Sequence, residues 1–371
     1  MATKIATSTD VIHPRTLIVG VFTPYNRMSC PEYYYQEFIN LVETLGMPYD
    51  EKFFTKLRSV DNNTFLTKGK MEELRELCVK HDIEEVLFSA LLSPLQERNL
   101  EDALGCRVFD REQLILNIFS KSATTSEGKI QVRIAELNYL KTRIMGKGKD
   151  FAQQAGYLGT TGPGETAKEE LKRIFEEQTR QAKKQMATLS RTRDVQRKQR
   201  LTSKTPLICI IGYTNSGKSS LLNRMAKGDV LAENKLFATL DTTTRELFID
   251  GKKKALISDT VGFISELPHS LIQAFKSTLD ELQYAHLLVH VIDIGNPAWK
   301  DQIRVVQETL DELKINKPML YVFNKQDTLT PERRENLAKE LEGFDPHVVI
   351  DTLSKDGIKP LVTWLGTYKF E

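Results

Sequence analysis

The apolar run Pro206-Leu-Ile-Cys-Ile-Ile211 leads straight into Gly212-Tyr-Thr-Asn-Ser-Gly-Lys218-Ser219, and a stretch with helical spacing follows. The octapeptide has the spacing GxxxxGK[ST], which needs a buried strand before it and a helix after it. Its glycines let backbone N–H groups converge on phosphate oxygens, and the helix N-terminus adds a field that favours anions. The cradle comprises Gly212, Tyr213, Thr214, Asn215, Ser216, Gly217, Lys218 and Ser219. Lys218 suits the β- and γ-phosphates of a nucleotide, and the Ser219 hydroxyl suits Mg²⁺. One octapeptide thus restricts the C-terminal half to a P-loop α/β architecture.

The rest of that half agrees. From about 205 to 371, strand-like runs at 206–211, 245–249, 255–260, 287–293, 319–324 and 347–351 alternate with helical patterns. The helices fit 217–226, 270–284, 298–314, 331–342 and 357–366. Such alternation predicts a doubly wound sheet. Asp259-Thr-Val-Gly262 ends one predicted strand about 40 residues after the loop, where an Asp lies beside Mg²⁺, through a water, and Gly262 lets the backbone approach the γ-phosphate. Asn324-Lys325-Gln326-Asp327 ends another. The Asp327 carboxylate can accept two hydrogen bonds, from guanine N1–H and from the exocyclic amine. Adenine offers no such donor pair. The order GKS, DxxG, NKxD therefore favours GTP and GDP over an ATP-dependent P-loop enzyme.

A threonine that completes the Mg²⁺ shell only when γ-phosphate is present is expected in the loop 231–244, which holds Thr239, Thr242, Thr243 and Thr244. Chemistry alone does not choose among the four. Position 263, after DxxG, is Phe, which cannot orient an attacking water as Gln does in Ras-type proteins. Slow intrinsic hydrolysis is the consequence. The Asn215 amide oxygen is a candidate holder of a monovalent cation near the phosphates, so K⁺ joins Mg²⁺ as an expected cofactor. Lys218, Asn215 and Gly262 are the residues expected to act on the reacting phosphate.

The N-terminal half reads differently. Thr16–Phe22 and Glu84–Ser89 look like buried strands, with helical spacing over Tyr34–Leu45 and Met71–Lys80, so 1–110 is expected to be a small α/β domain. Residues 111–200 are almost wholly helical in pattern. A glycine-rich break, including Gly162-Pro-Gly164, separates apolar faces before and after it, and a second long helix begins near Glu165. A helical hairpin with a glycine-rich tip is predicted. The domain expectation is thus 1–110, 111–200 and 201–371, in keeping with two to three domains for 371 residues.

Charge is concentrated locally. The whole chain has 52 basic and 50 acidic residues. Residues 178–200, however, carry Arg180, Lys183, Lys184, Arg191, Arg193, Arg197, Lys198 and Arg200 against Asp194 alone. A basic helix with few aromatics suits phosphate-backbone contact rather than base stacking. The apolar stripe of the same helix allows a second reading, a nucleotide-switched scaffold whose hairpin binds a protein partner. No apolar run approaches the roughly 20 residues of a membrane span, and the first 14 residues lack a signal-peptide pattern. Cys30, Cys78, Cys106 and Cys209 show no metal or disulfide spacing. A cytoplasmic, monomeric protein that does not bind DNA is expected.

Several segments together resemble the HflX family of GTPases: Phe237-Ala-Thr-Leu-Asp241 with Thr243-Thr-Arg245, Asp259-Thr-Val-Gly-Phe263, Asp110-Arg-Glu-Gln-Leu-Ile-Leu116, Gln131-Val132 with Ala135-Glu-Leu137, and Gly162-Pro-Gly-Glu-Thr166. The resemblance runs from about residue 16 to the end. It implies a GTPase that binds the large ribosomal subunit and its rRNA, and that rescues, splits or regulates ribosomes under stress. It selects Thr239 as the Mg²⁺-sensing threonine, adds Phe237 to the nucleotide loop, and links Asn215 to K⁺-assisted hydrolysis. It also aligns Asp351-Thr352 with the family's base-supporting Ser-Ala pair. The chain departs from the family pattern at Thr242 (usually Pro), Thr161 (commonly Arg) and Thr67-Lys-Gly-Lys70 (a glycine-x-glycine-lysine stretch). The extra C-terminal domain of some members is expected to be missing.

Overall fold

The computed structural model describes residues 13–144, 164–202, 205–226, 236–237, 243–268, 271, 279–354 and 356–370. Thr239, Thr242, Thr161 and the pair Gly162-Pro163 lie outside the described residues. The chain forms two compact units, Met1–Pro24 with Gly46–Arg111, and Tyr25–Leu45 with Glu112–Glu371.

The first unit is a four-stranded parallel sheet in the order β2-β1-β3-β4, made of β1 Thr16–Phe22, β2 Glu51–Lys56, β3 Glu85–Phe88 and β4 Arg107–Phe109. Parallel neighbours need crossovers, and α2 Lys68–Lys80 and α3 Pro94–Leu104 supply two of them. Helix α3 starts with Pro94 and a reciprocal Ser93–Gln96 capping box, and stops at Gly105, whose φ of 72° is open to glycine. Leu17, Val19, Val21, Val86 and Phe88 pack with Leu74, Cys78 and Leu100 into one core. Each such fully buried side chain contributes about 1.5–3 kcal/mol. Periodicity finds β1 and β3 but passes over β2 and β4. In β2 buried and exposed residues alternate in a charged segment, and β4 is three residues long.

The second unit contains α1 Pro31–Leu45, α4 Arg111–Ser122, α5 Ser126–Ile144, α6 Gly164–Thr202 and a six-stranded sheet. Helix α1 lies between β1 and β2 in the chain but belongs to this second unit. Its buried side chains Tyr34, Glu37, Phe38, Leu41 and Val42 recur at helical spacing. Helices α5 and α6 lie side by side: Arg133 donates to Gln178 at 2.9 Å, and Lys141, further along α5, meets Glu176, earlier on α6, at 2.8 Å.

The six-stranded sheet has the order β10-β9-β8-β5-β7-β6. Its strands are β5 Leu207–Gly212, β6 Thr244–Ile249, β7 Lys252–Asp259, β8 Leu287–Asp293, β9 Met319–Asn324 and β10 His347–Val349. All pairs are parallel except β6–β7, so the sheet is mixed. That hairpin turns at Asp250-Gly251, both at positive φ, the two-residue geometry that matches strand twist. Helices α7 Lys218–Met225, α8 Trp299–Glu312, α9 Pro331–Glu340 and α10 Lys359–Thr367 follow successive strands. Of the helix expected over 270–284, the described part ends as a 3₁₀ turn, Asp280–Tyr284. Strand β5 is buried throughout at the centre of the sheet, so its C-terminal end brings the glycine loop to the middle of the sheet's upper edge.

Candidate nucleotide site

The loop after β5 is shaped by two glycines. Gly212 has φ 147°, and a Cβ there would lie 2.2 Å from the Val291 carbonyl oxygen of β8. Gly217 has φ 99°, and its Cβ would lie 2.2 Å from the Asn324 side-chain nitrogen. At Gly212 a side chain would have to move the β8 backbone, and at Gly217 it would displace the Asn324 amide and strain a positive φ. Asn215 between them is left-handed, φ 60°, a region Asn tolerates.

Lys218 opens α7 and is buried, its Nζ donating to the Tyr213 carbonyl at 2.6 Å inside the loop. Burial pushes its pKa down to about 8; the Asp259 carboxylate opposes the shift and the Lys325 charge adds to it. A desolvated ammonium without a fully compensating anion is a site prepared for phosphate oxygens. The Ser219 hydroxyl donates to Asp259 Oδ2 at 2.9 Å, and β5–β7 pairing sets Asp259 opposite Ile210. One hydroxyl and one carboxylate, with no cluster of three His, Cys, Asp or Glu among the described residues, is the sparse oxygen donor set that suits Mg²⁺ held mainly by water and phosphate.

Gly262 closes on the loop from β7. A Cβ on it would meet Thr214 Cγ2 at 2.9 Å and Lys218 Nζ at 3.1 Å. The following Phe263 is buried, and its backbone pairs with the loop: Thr214 N–H donates to the Phe263 carbonyl at 2.7 Å, and Phe263 N–H to the Gly212 carbonyl at 3.1 Å.

The NKQD segment closes the other side. Asn324 Nδ2 donates to the Ser216 carbonyl at 2.9 Å, and Lys325 Nζ donates to the Asn215 carbonyl at 2.8 Å and to Asp293 Oδ2 at 2.7 Å. Asp327 lies on the 3₁₀ turn Gln326–Thr328 with its side chain exposed. Asp351 accepts the N–H groups of Leu353 at 2.6 Å and Ser354 at 3.2 Å. Burial opposes its ionisation, but hydrogen bonds from Ser354 and Leu353 outweigh that and hold the carboxyl below its ordinary range. Thr352 is buried, its hydroxyl 3.9 Å from the Cβ position of Gly217, and its carbonyl accepts Arg224 Nε of α7 at 3.0 Å. On the loop and on the strand end that braces it, three buried polar atoms have no hydrogen-bond partner: Thr214 Oγ1, Ser216 Oγ and Asn324 Oδ1. Buried polar atoms are normally paired, so such a cluster marks where a ligand belongs. Phe237 sits apart from this network, its ring packed edge-on to Phe119 of α4 at 4.5 Å between centroids.

Two residues escape the motif reading. Glu37 of α1 accepts the Tyr213 hydroxyl and the Ser265 hydroxyl. A carboxylate on the apolar stripe of α1, three residues after Tyr34 and next to Phe38, is the sequence signal that marks it. Asp293, the anchor of Lys325, is marked only by its place at a strand end.

A phosphate loop, an Asp-x-x-Gly turn and an Asn-Lys-x-Asp turn, on the ends of strands β5, β7 and β9 of one sheet, define a P-loop GTPase domain. Family models match in series: "GTP-binding GTPase N-terminal" over 32–120, "GTP-binding GTPase Middle Region" over 122–200 and "50S ribosome-binding GTPase" over 207–325. The chain is 44% identical to a GTPase HflX of Lacrimispora saccharolytica over 78% of this chain and 69% of that protein. It is 37% identical to GTPase HflX of Escherichia coli over 89% and 74% of the two chains, and 35% identical to that of Magnetococcus marinus over 95% and 81%. The chain belongs to the HflX family of GTPases. Motif set and family together make it a GTP hydrolase. No helix among the described residues is long and apolar enough to cross a membrane.

Proposed function

We propose that this chain is a Mg²⁺-dependent GTPase that works on the large ribosomal subunit and uses GTP hydrolysis to rescue, split or regulate ribosomes under stress. The observation that carries the hydrolytic part is the convergence of Lys218, Ser219, Asp259 and Gly262 on one loop that Asn324 and Lys325 brace from behind. In this reading the loop's N–H groups and Lys218 hold the β- and γ-phosphates, and the Gly262 N–H faces the γ-phosphate. Asp327 reads the guanine, with Asp351-Thr352 beside it. Ser219 would hold Mg²⁺, with Asp259 beside it through a water and Thr239 completing the set; the ion would neutralise charge on the phosphate oxygens. The Asn215 amide oxygen would hold K⁺ near the phosphates, assisting hydrolysis that lacks a water-orienting Gln.

Two features support the ribosomal part. Residues 207–325 match a family model described as a 50S ribosome-binding GTPase. The 39-residue helix α6 carries the chain's basic run, which suits rRNA phosphates. Its pairing with α5 through Gln178 and Glu176 uses one side of the helix internally, which favours rRNA over a protein partner for the rest. The modules 1–110, 111–200 and 201–371 then act as one cytoplasmic monomer. Co-sedimentation with purified 70S ribosomes and isolated subunits, with GDP or a non-hydrolysable GTP analogue, at several Mg²⁺ concentrations, tests it. Binding to the large subunit favoured by the GTP analogue is expected, and equal binding in both nucleotide states would remove the switch.

A further inference from the structure

Glu37 lies 7% exposed on α1, and its carboxylate is shared. Oε2 accepts the hydroxyl of Tyr213, the second residue of the phosphate loop, and Oε1 accepts the hydroxyl of Ser265, two residues beyond Phe263. The Tyr213 oxygen in turn accepts the Ser265 N–H at 2.6 Å. The three groups form a closed ring, and Tyr213 and Ser265 are 4% and 0% exposed. The next residue, Glu266, held at φ 53°, takes hydrogen bonds from Tyr34 (3.3 Å) and Asn26. One face of α1 and the turn before it therefore hold two consecutive residues of the segment that follows Asp259-Thr-Val-Gly262.

That placement bears on chemistry. Gly262 is fixed near Lys218 by Phe263 backbone pairing to Gly212 and Thr214. The ring lies directly behind this pairing, bridging Tyr213 on the loop side to Ser265 on the other. With Phe263 in place of a water-orienting Gln, the reaction depends on how well loop and Gly262 are positioned, and misplacement by 1 Å can cost about 100-fold. Replacing Glu37 by an apolar residue would leave two buried hydroxyls without their acceptor.

We infer that Glu37 of α1 is a positioning residue for GTP hydrolysis, acting through Tyr213 and Ser265 to set the spacing between the phosphate loop and Gly262. The inference rests on the loop being the hydrolytic site, as proposed above. It makes a helix from the N-terminal family region part of the GTPase machinery.

The test uses the full chain, measuring steady-state GTP turnover, affinity for fluorescent GDP and GTP analogues, and thermal stability. Glu37→Ala is expected to lower kcat roughly 10- to 100-fold with little change in KM or GDP affinity. Glu37→Gln, which accepts from one hydroxyl and donates to the other, restores most of the rate. Tyr213→Phe and Ser265→Ala each lower kcat, and neither adds to the loss in Glu37→Ala, because all three open the same ring. If Glu37→Ala does not fold, the Tyr213→Phe and Ser265→Ala variants decide the matter. A normal kcat with only a lower melting temperature, or fully additive losses, would overturn the inference. Lys218→Ala is the control: turnover surviving there sinks the site itself, whereas its loss beside a fully active Glu37→Ala sinks only the role of Glu37.

Discussion

Asn324 of β9 donates its side-chain amide to the backbone carbonyl of Ser216 at 2.9 Å, so the strand end that carries the base-reading motif and the loop that carries the phosphate motif are one hydrogen-bonded body. Lys325 repeats the link to Asn215 one residue on. Asp327, two residues further, is thereby held at a set distance from the loop. The Asn-Lys-Gln-Asp turn and the glycine loop are thus coupled through the protein itself.

Asp327→Asn is expected to exchange guanine for xanthine nucleotides. The carboxylate accepts two donors, and hydrogen bonds to a charged group contribute about 1.5–3 kcal/mol each. GTP affinity should fall roughly 100-fold or more, and XTP should become the tighter ligand. Retained GTP affinity, measured by competition with a fluorescent nucleotide, would refute the guanine assignment.

Lys218 predicts a pH dependence with a definite sign. Its pKa is about 8 in the nucleotide-free protein, and a bound phosphate must raise it. Above about pH 8 the free protein has lost a proton that binding must recover, so nucleotide affinity falls there, by up to about tenfold per pH unit. Below that pH the effect vanishes. For the fold itself, an unfolded chain with the ordinary lysine value of 10.5 holds more protons between pH 8 and 10.5. Nucleotide-free stability gains from this residue as pH rises through that window. Calorimetry in two buffers of different ionisation enthalpy, at pH 7 and 9, reads the proton uptake. Lys218→Ala should abolish it together with hydrolysis, whose barrier rises by roughly 2.7–4 kcal/mol.

Gly262→Ala should separate binding from turnover. The added methyl lies 2.9 Å from Thr214 Cγ2 and 3.1 Å from Lys218 Nζ. Overpacking of this kind costs about 1–3 kcal/mol, paid where Gly262 meets the γ-phosphate. GDP affinity should hold while kcat drops roughly 10- to 100-fold; equal losses in both would place Gly262 in general loop packing.

Hydrolysis should run faster in K⁺ than in Na⁺, and Asn215→Ala should erase the difference. Asn215 sits at φ 60°, where Ala costs about 1–2 kcal/mol of backbone strain. That cost is the same in both salts, so the K⁺/Na⁺ ratio isolates the side chain. Identical wild-type rates in the two salts would remove the cation.

Replacing Arg191, Arg193, Arg197 and Arg200 of α6 by Gln should weaken ribosome binding and flatten its salt dependence by roughly 0.7–0.9 per lost phosphate contact. Ribosome-free GTPase activity should be unaffected. An unchanged salt slope would show that the basic run is a solvated helix face.

What the sequence determined by itself is the chemistry written in contiguous segments. Gly212–Ser219, Asp259–Gly262 and Asn324–Asp327 are legible because each is a few residues long and each function follows from residue type and spacing within it. Strands such as β5 and β8 are legible for the same reason: β5 is apolar from Leu207 to Ile211, and β8 is broken only by His290 before it ends at Asp293. The tertiary structure alone decided which of these segments meet. The order β10-β9-β8-β5-β7-β6 sets Asn324 against Ser216 and Asp259 against Ser219, and the short, alternating edges β2 and β4 take shape only beside β1 and β3. Helix α1 shows the division most sharply. Its pattern announces a buried face, and Glu37 on that face announces a partner. Yet Tyr213 stands 176 residues away, and the choice of acceptor for a buried hydroxyl is settled by which surfaces exclude water together, a property of the packed fold and not of any local stretch of chain.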